Sequence, residues 1–487
     1  MTAALAACAV GPEFKRPDAP RVQSYSATPL PAQTVAAKGP AGRVQTFQHG
    51  ADIPGQWWNL FHSDKLDRLV EQALQANQDV AAAQAALRQA HENALAAQGE
   101  WFPSFDGKGN VTRQKISGAE FGQPGGGSAI YSLFNASVNV SYTLDVWGGV
   151  RRGIEAQRAQ AEYQNFQLEG TYLSLAANVV TTAVQEASLR AQIQATGQIV
   201  DADRQQLEAV KRQFALGGVS KVDVLNQQTQ LANVLATLPP LRKQLAQNRD
   251  LLAVLLGRAP GEQPAERFEL ADLQLPENLP VSLPASLVAQ RPDVRAQEAL
   301  LHQASAQIGV ATANLLPQIT ISGSYGGTST NISDLLKSSS NVWSIGGGIT
   351  QPLFHGGELL HQKRAAVAAY DQAAAKYRGT VLSALQNVAD TLHALDADAE
   401  ALQAQDSAEE SAAEALQLAR AQFQAGAISN LTLLVSMRDY QQARIAQLQA
   451  QAARYADTAA LFQALGGGWW NRPNGAVAGA VAVNDKP

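Results

Sequence analysis

Cysteine, charge and aromatic rings are all scarce in this 487-residue chain. The single cysteine, Cys8, excludes an intrachain disulfide. Charged residues make up 16% of the chain, with a formal net charge of −5, and the basic ones are scattered. That removes the clustered Lys and Arg a nucleic-acid surface needs. Aromatic residues are 6% against 46% hydrophobic overall, so the apolar character rests on Ala, Leu and Val, which is helix-packing material. No apolar run approaches the roughly 18 residues of a membrane-spanning helix. The densest, Leu251 to Leu256, is far shorter, so any membrane crossing falls to strands. Patterns of catalysis are missing too. His355, Glu358 and His361 lack the two-His helix-face spacing of a zinc protease. Gly323, Gly326 and Gly327 lie in an alternating segment, outside the strand–turn–helix setting of a nucleotide loop. No nucleophile has a base beside it, and we expect no enzymatic turnover, no metal site and no cofactor.

What is present is periodicity. From Ser132 to Asp145, Phe134, Ala136, Val138, Val140, Tyr142 and Leu144 alternate with Asn135, Ser137, Asn139, Ser141, Thr143 and Asp145. This is a strand with one apolar and one polar face. A proline-free stretch from Arg152 to about Phe214 follows, a helix of roughly 95 Å at ~1.5 Å per residue. Its apolar residues fall into heptad series: Ile154, Ala161, Leu168, Leu175; then Phe166, Leu173, Val180, Ala187; then Ile193, Val200, Leu207, Phe214. The first two series differ in phase by roughly 140° at about 100° per residue. Two stripes fit a helix with a neighbour on each side, as in the wall of a cylinder; a single wide buried face is the other reading.

The whole pattern then recurs. Asp79-Val80 and Asp293-Val294 open Ala/Gln helices that Pro103 and Pro317 close at the same spacing. Ile319, Ile321 and Tyr325, and later Trp343, Ile345, Gly347 and Ile349, alternate with polar or small residues. Gly356-Gly357 answers Gly148-Gly149. Phe423-Gln424-Ala425-Gly426-Ala427-Ile428-Ser429 repeats Phe214-Ala215-Leu216-Gly217-Gly218-Val219-Ser220. The chain thus divides into an N-terminal arm (1–62), two repeats of helix, strand, strand, long helix, turn and helix (63–257 and 285–466), a Pro-rich linker (258–284) and a C-terminal tail (467–487), partly disordered. In the first repeat the strands fall near 104–114 and 132–146, the long helix near 151–215, the tip turn at 216–220 and the return helix at 221–257, with Ser220 as its cap. In the second they fall near 318–327 and 342–352, 358–424, 425–429 and 430–466. We expect the first helix to run unbroken from about Asp64 to Trp101, and Pro239-Pro240 to split or bend the first return helix.

Each strand is long enough to cross a bilayer when tilted. Four strands cannot close a barrel, and open edges are not tolerated in lipid. Two copies would give eight strands and a filled interior, whereas three give twelve and leave a lumen. Leu5-Ala6-Ala7-Cys8 places small residues before a cysteine, as at a bacterial lipoprotein cleavage site, although no basic segment precedes it; an incidental free cysteine is the alternative.

Cys8 to Pro17, the Trp57-Trp58 entry with Phe61 and Asp64, Arg291-Pro292-Asp293-Val294, both turn motifs and Ala464-Leu465-Gly466-Gly467-Gly468-Trp469 together resemble the TolC-like outer-membrane efflux channels. The likeness is to the lipoprotein branch that partners resistance-nodulation-division (RND) pumps. The resemblance implies an α+β membrane protein and a homotrimer: a twelve-stranded outer-membrane β-barrel continuous with a long periplasmic α-helical barrel, and an equatorial region built from the termini and linker. It also implies a lipid anchor on Cys8, contact with outer-membrane lipid, and a periplasmic adaptor and inner-membrane RND-type pump as partners. Adaptor contact would then fall on the tips, at Gly217, Gly218, Ser220, Gly426 and Ser429. The gate would involve Asp223, Asn226, Leu431, Thr432 and Val435, with Asp223 as candidate acid and Leu431 and Val435 as an apolar plug, because family gates often carry an acid where this chain has Val435. The export channel of a protein-secretion system shares this architecture, and a pore-less periplasmic coiled-coil protein explains the heptads but not the strands.

Overall fold

The computed structural model describes residues 9–27, 29, 31–117 and 127–472; Cys8, most of the Gly-rich stretch before the second long strand and the tail beyond Arg472 lie outside them. In chain order the elements are β1 (Thr46–His49), α1 (Asp64–Ala76), α2 (Gln78–Gln98), β2 (Ser104–Ile116), β3 (Ala129–Leu144), α3 (Gly149–Ala215) and α4 (Lys221–Leu255). Then come β4 (Asn278–Val281), α5 (Pro284–Gln290), α6 (Pro292–Ala313), β5 (Gln318–Ser329), β6 (Asn341–Thr350), α7 (Glu358–Gln424) and α8 (Asn430–Ala464). The long helices α3 and α7 are 67 residues each, and α4 and α8 are 35 each, so the duplication holds to the residue in the helical hairpins. The chain forms two compact units, one of Met1–Arg16, Leu87–Tyr163 and Gln297–Tyr377, the other of Pro17–Ala86, Gln164–Ala296 and Arg378–Pro487.

In the first unit, β2, β3, β5 and β6 form an antiparallel sheet in that order. Residues directly opposite each other in an antiparallel pair share a face. Register therefore decides whether the alternation of each strand adds up, and it does. Phe105, Val140, Gly323 and Ile345 lie in one row, and Gly107, Val138, Tyr325 and Trp343 in the next of the same face. On the other face stand rows such as Ser104, Ser141, Ser322 and Gly346, or Asp106, Asn139, Ser324 and Ser344. The sheet has one apolar and one polar side. The apolar side is bare in the protomer, with Trp343, Ile345 and Ile349 each more than 70% exposed. Hydrogen bonds join strands across the polar side, from Asn135 Nδ2 to Thr328 Oγ1 at 2.9 Å and between the hydroxyls of Ser324 and Ser344 at 2.8 Å. Gly326 is required by close approach: a Cβ there would stand 2.2 Å from the carbonyl oxygen of Ala136. The segment just after Cys8 belongs to this unit and is held to it. The Val10 amide donates to Trp147 O, Phe14 stacks on His302 with centroids 4.4 Å apart, and Arg16 pairs with Glu298 at 2.9 Å.

The second unit holds the helical hairpins and a core where arm, linker and α8 meet. Fully buried Arg454 donates to Thr34 Oγ1 (3.1 Å) and Gln45 Oε1 (2.8 Å), and Gln45 in turn donates to Pro276 O and Thr458 Oγ1. Trp57 stacks on Phe462 at 5.2 Å.

Three expectations need correction. The first helix breaks at Asn77, whose extended backbone ends α1 and whose side-chain oxygen accepts from the amides of Asp79 and Val80 to start α2. The helix α4 runs through Pro239 and Pro240 without splitting into two pieces. The arm and linker are not wholly irregular: β1 pairs in parallel with β4, Thr46 opposite Asn278 through His49 opposite Val281. Strands of four residues carry too little alternation to register as a period.

Candidate functional site

The two turns between long and return helices are built alike, and both lie in the second unit. At the first, the Gly218 amide donates to Gln213 O (2.8 Å) and the Gly217 amide to Phe214 O (3.0 Å). At the second, Ala427 donates to Gln422 O (2.8 Å) and Gly426 to Phe423 O (3.0 Å). These paired bonds close a helix with its C′ residue left-handed, so Gly217 (φ +77°) and Gly426 (φ +73°) are placed where a side chain would strain. Ser220 and Ser429 then cap the return helices, their hydroxyl oxygens accepting from the amides of Asp223 (3.2 Å) and Thr432 (3.3 Å).

The candidate gate residues divide by what they touch. Asp223 completes a capping box: its carboxylate accepts from the Ser220 amide at 2.9 Å and from the Ser220 hydroxyl at 2.7 Å. Thr432 shares a hydroxyl contact of 3.1 Å with Ser429. Asn226 is exposed on α4. Leu431 and Val435, four residues apart on one face of α8, are 64% and 40% exposed, so neither packs in the seam of its own chain. That seam is filled by Leu433 and Met437 together with Leu207 and Val210 of α3, Val224 of α4, and Leu416, Ala419 and Phe423 of α7. The two hairpins thus clasp each other through an apolar core and leave Leu431 and Val435 facing outward.

Sequence reasoning missed Asn430. It is buried, and its Nδ2 donates to the carbonyl of Asp223 at 3.2 Å, the hydrogen bond that ties one tip to the other. A signal existed: the position equivalent to Asn430 in the first repeat is Lys221, which is exposed and sits over the Phe214 ring at 5.7 Å. Where a duplicated chain changes a lysine to a small amide, the two copies face different surroundings. Among the described residues no group of His, Cys, Asp and Glu side chains could hold a metal ion, and no helix is long and apolar enough to cross a membrane.

Residues 69–258 and 283–467 match the family described as Outer membrane efflux protein, the two halves of the duplication in turn. The pyoverdine export outer membrane protein OpmQ of Pseudomonas putida is 30% identical over 447 residues, covering 91% of this chain and 94% of that protein. The cation efflux system protein CusC of Escherichia coli is 26% identical, covering 96% and 97%. Among solved structures, the outer-membrane channel OprN superposes with a TM-score of 0.84 at 28% identity, over 95% of this chain and 100% of that one. The open state of the Neisseria gonorrhoeae MtrE outer membrane channel gives 0.80 at 25%, over 95% and 99%. With the duplicated hairpins, the two-faced sheet and these likenesses in agreement, the chain belongs to the outer membrane efflux protein family, as an outer-membrane channel component of an efflux system.

Proposed function

We propose that three copies of this chain share one twelve-stranded barrel and one helical tube, and that the assembly conducts solutes passively from a periplasmic adaptor and an inner-membrane RND-type pump to the exterior. The observation that carries the reading is the sheet. In the order β2-β3-β5-β6, each outer strand has a single partner, so two edges of backbone donors and acceptors stay unpaired. Lipid offers those groups no water, so an edge must meet the edge of another copy. The bare apolar face suits hydrocarbon, and the serine- and asparagine-lined face suits a water-filled lumen. Energy comes from the pump, since this chain offers no nucleotide loop, and selection of the solute lies there too.

In this reading the tips do two jobs. Gly217, Gly218, Ser220, Gly426 and Ser429 present small surfaces on which an adaptor hairpin docks, and Leu431 and Val435, facing out of their own chain, meet their counterparts in sister copies and plug the tube. Asp223 and Thr432 hold the turns in shape and line the constriction with Asn226. Cys8 carries the lipid that anchors the arm to the outer membrane, with residues Val10 to Arg16 fastened to the strand-bearing unit. Native mass spectrometry of the detergent-solubilised protein tests the assembly: a trimer, each chain heavier by an acylated glyceryl group at Cys8, is expected, and a monomer refutes the shared barrel. Single-channel recording tests the plug. Leu431→Ala and Val435→Ala should raise the low resting conductance, and an unchanged current removes both residues from the gate.

A further inference from the structure

A carboxylate stands in the core of the hairpin clasp. The heptad series Ile193, Val200, Leu207 of α3 has a companion three residues on, Thr196, Asp203 and Val210, and all three companions are buried. Asp203 is 1% exposed and lies between an apolar cluster of Ile199, Val200, Val234 and Leu238 and the tip core that begins at Leu207. Both of its oxygens are buried, and the group that reaches them with a hydrogen bond is the side-chain amide of Gln230. It borders a cavity of about 180 Å³ between α3, α7 and α8.

The groups facing the carboxylate come from every neighbouring helix. Arg420 on α7 and the Gln230 amide on α4 act on it directly, and Tyr440 and Arg444 on α8 line the same cavity. Arg444 is occupied elsewhere, donating to Gln447 Oε1 at 2.6 Å and pairing with Glu409 at 3.7 Å. On α3 itself, the nearest ion pair, Asp201 with Arg204 at 3.1 Å, is exposed. Among the described residues, Arg420 is the cation whose charge bears on Asp203. Burial pushes the Asp203 carboxyl up to about 6, against the opposing pull of Arg420 and of the hydrogen bond from Gln230. A seam that only had to stay shut would carry Val or Leu here, as it does one heptad on at Val210. An acid at a core heptad position weakens the packing, and in its ionised form it demands water.

We propose that Asp203 is a positioning residue for channel opening: its ionised carboxylate draws water into the seam between the two helical hairpins and makes them easier to part, while its protonated form lets the seam close. The proposal rests on the channel reading above and adds to it a control that lies within each protomer, away from the Leu431 and Val435 plug.

Planar-bilayer recordings of the full-length protein at pH 5 and pH 8 test it, with Asp203→Asn and Asp203→Leu beside the wild type. A group titrating near 6 is about 9% ionised at pH 5 and about 99% at pH 8, so the wild-type open probability should fall roughly tenfold at the lower pH. Asp203→Asn should stay at the low level at both values, and Asp203→Leu should lie lower still. A wild-type pH step that survives in Asp203→Asn, or an Asp203→Leu channel that opens as freely as wild type at pH 8, overturns the proposal and leaves the channel reading standing. A wild-type protein that passes no current at any pH refutes both. Should the variants fail to assemble, amide exchange of wild-type α3 and α8 around Asp203 and Tyr440, corrected for intrinsic rates, decides: faster exchange at pH 8 supports the proposal, and equal protection at the two values overturns it.

Discussion

Leu431 and Leu433 are two residues apart on α8 and offer a sharp separation of the proposed gate from the scaffold. Leu433 is fully buried among Leu207, Val210, Val224, Leu416 and Phe423, whereas Leu431 is 64% exposed. Truncating Leu433 to Ala removes its transfer free energy and leaves a cavity in a clasp supplied by four helices, a cost of about 3 kcal/mol. Since about 1.4 kcal/mol is a factor of ten, the locally open tip should become roughly 100-fold more populated. Leu431→Ala removes a side chain that its own protomer does not cover, and its cost to the clasp should stay within about 0.5 kcal/mol. Hydrogen exchange read by mass spectrometry reports the difference. In Leu433→Ala the ends of α3, α4, α7 and α8 should lose protection together, because one cluster joins them. In Leu431→Ala protection should hold while the resting conductance rises. Equal loss of protection in both variants would refute the division, since it would show that Leu431 supports the clasp as much as Leu433 does.

Titration of Asp203 should also appear in stability. Its folded value is raised from 3.8 to about 6, so the neutral acid favours folding fully below pH 3.8 and that contribution is lost as pH climbs through 6. The shift of roughly two units sets a ceiling of about 3 kcal/mol, and the gain in melting temperature of Asp203→Asn over wild type should be larger at pH 8 than at pH 4. Arg291 donates to both carboxylate oxygens of Asp293 (3.0 and 2.7 Å) and to Ala464 O (2.8 Å). Arg291→Lys keeps the charge but loses the fork, and should cost about 2 kcal/mol, seen as earlier thermal loosening of the C-terminal end of α8. Gly326→Val drives a side chain into the Ala136 carbonyl and should abolish heat-sensitive trimers on a gel, whereas Gly323→Ala, whose nearest neighbour is 3.7 Å away, should leave them intact.

The parts of this fold that could be read from the sequence are those whose signal repeats. The eleven residues of β3 from Phe134 to Leu144 alternate, and the 67 residues of α3 carry heptads, so chance matches average out. Single contacts carry no such redundancy. Asn77 interrupts a run of good helix formers through two hydrogen bonds of its own side chain, and β1 and β4 find each other across more than 200 residues with only four pairs. The tips were legible as turns because Gly and Ser are dictated locally. Asn430 was not, since its partner is a backbone carbonyl on the other hairpin. Asp203 lay between these cases: the frame set by Val200 and Leu207 places it at a core position, and an acid there was already visible as a conflict between pattern and chemistry.

The duplication itself explains why equivalent tip residues behave differently. Both copies keep the backbone geometry, down to the paired Gly and Ser bonds of each turn. Yet Phe423 is buried in the clasp and Phe214, its equivalent, is 42% exposed beneath the Lys221 ammonium, beside Leu216 at 87%. Two identical hairpins placed side by side cannot offer the same face to each other, because the right flank of one meets the left flank of the next. In a single chain, one flank of each hairpin is satisfied and the other is left over. The buried Phe423 marks the satisfied flank. Under the proposed shared barrel, the outward Phe214 and Leu216 mark the flank that another copy of the chain would cover, the same incompleteness that the two unpaired edges of the sheet express in hydrogen bonds.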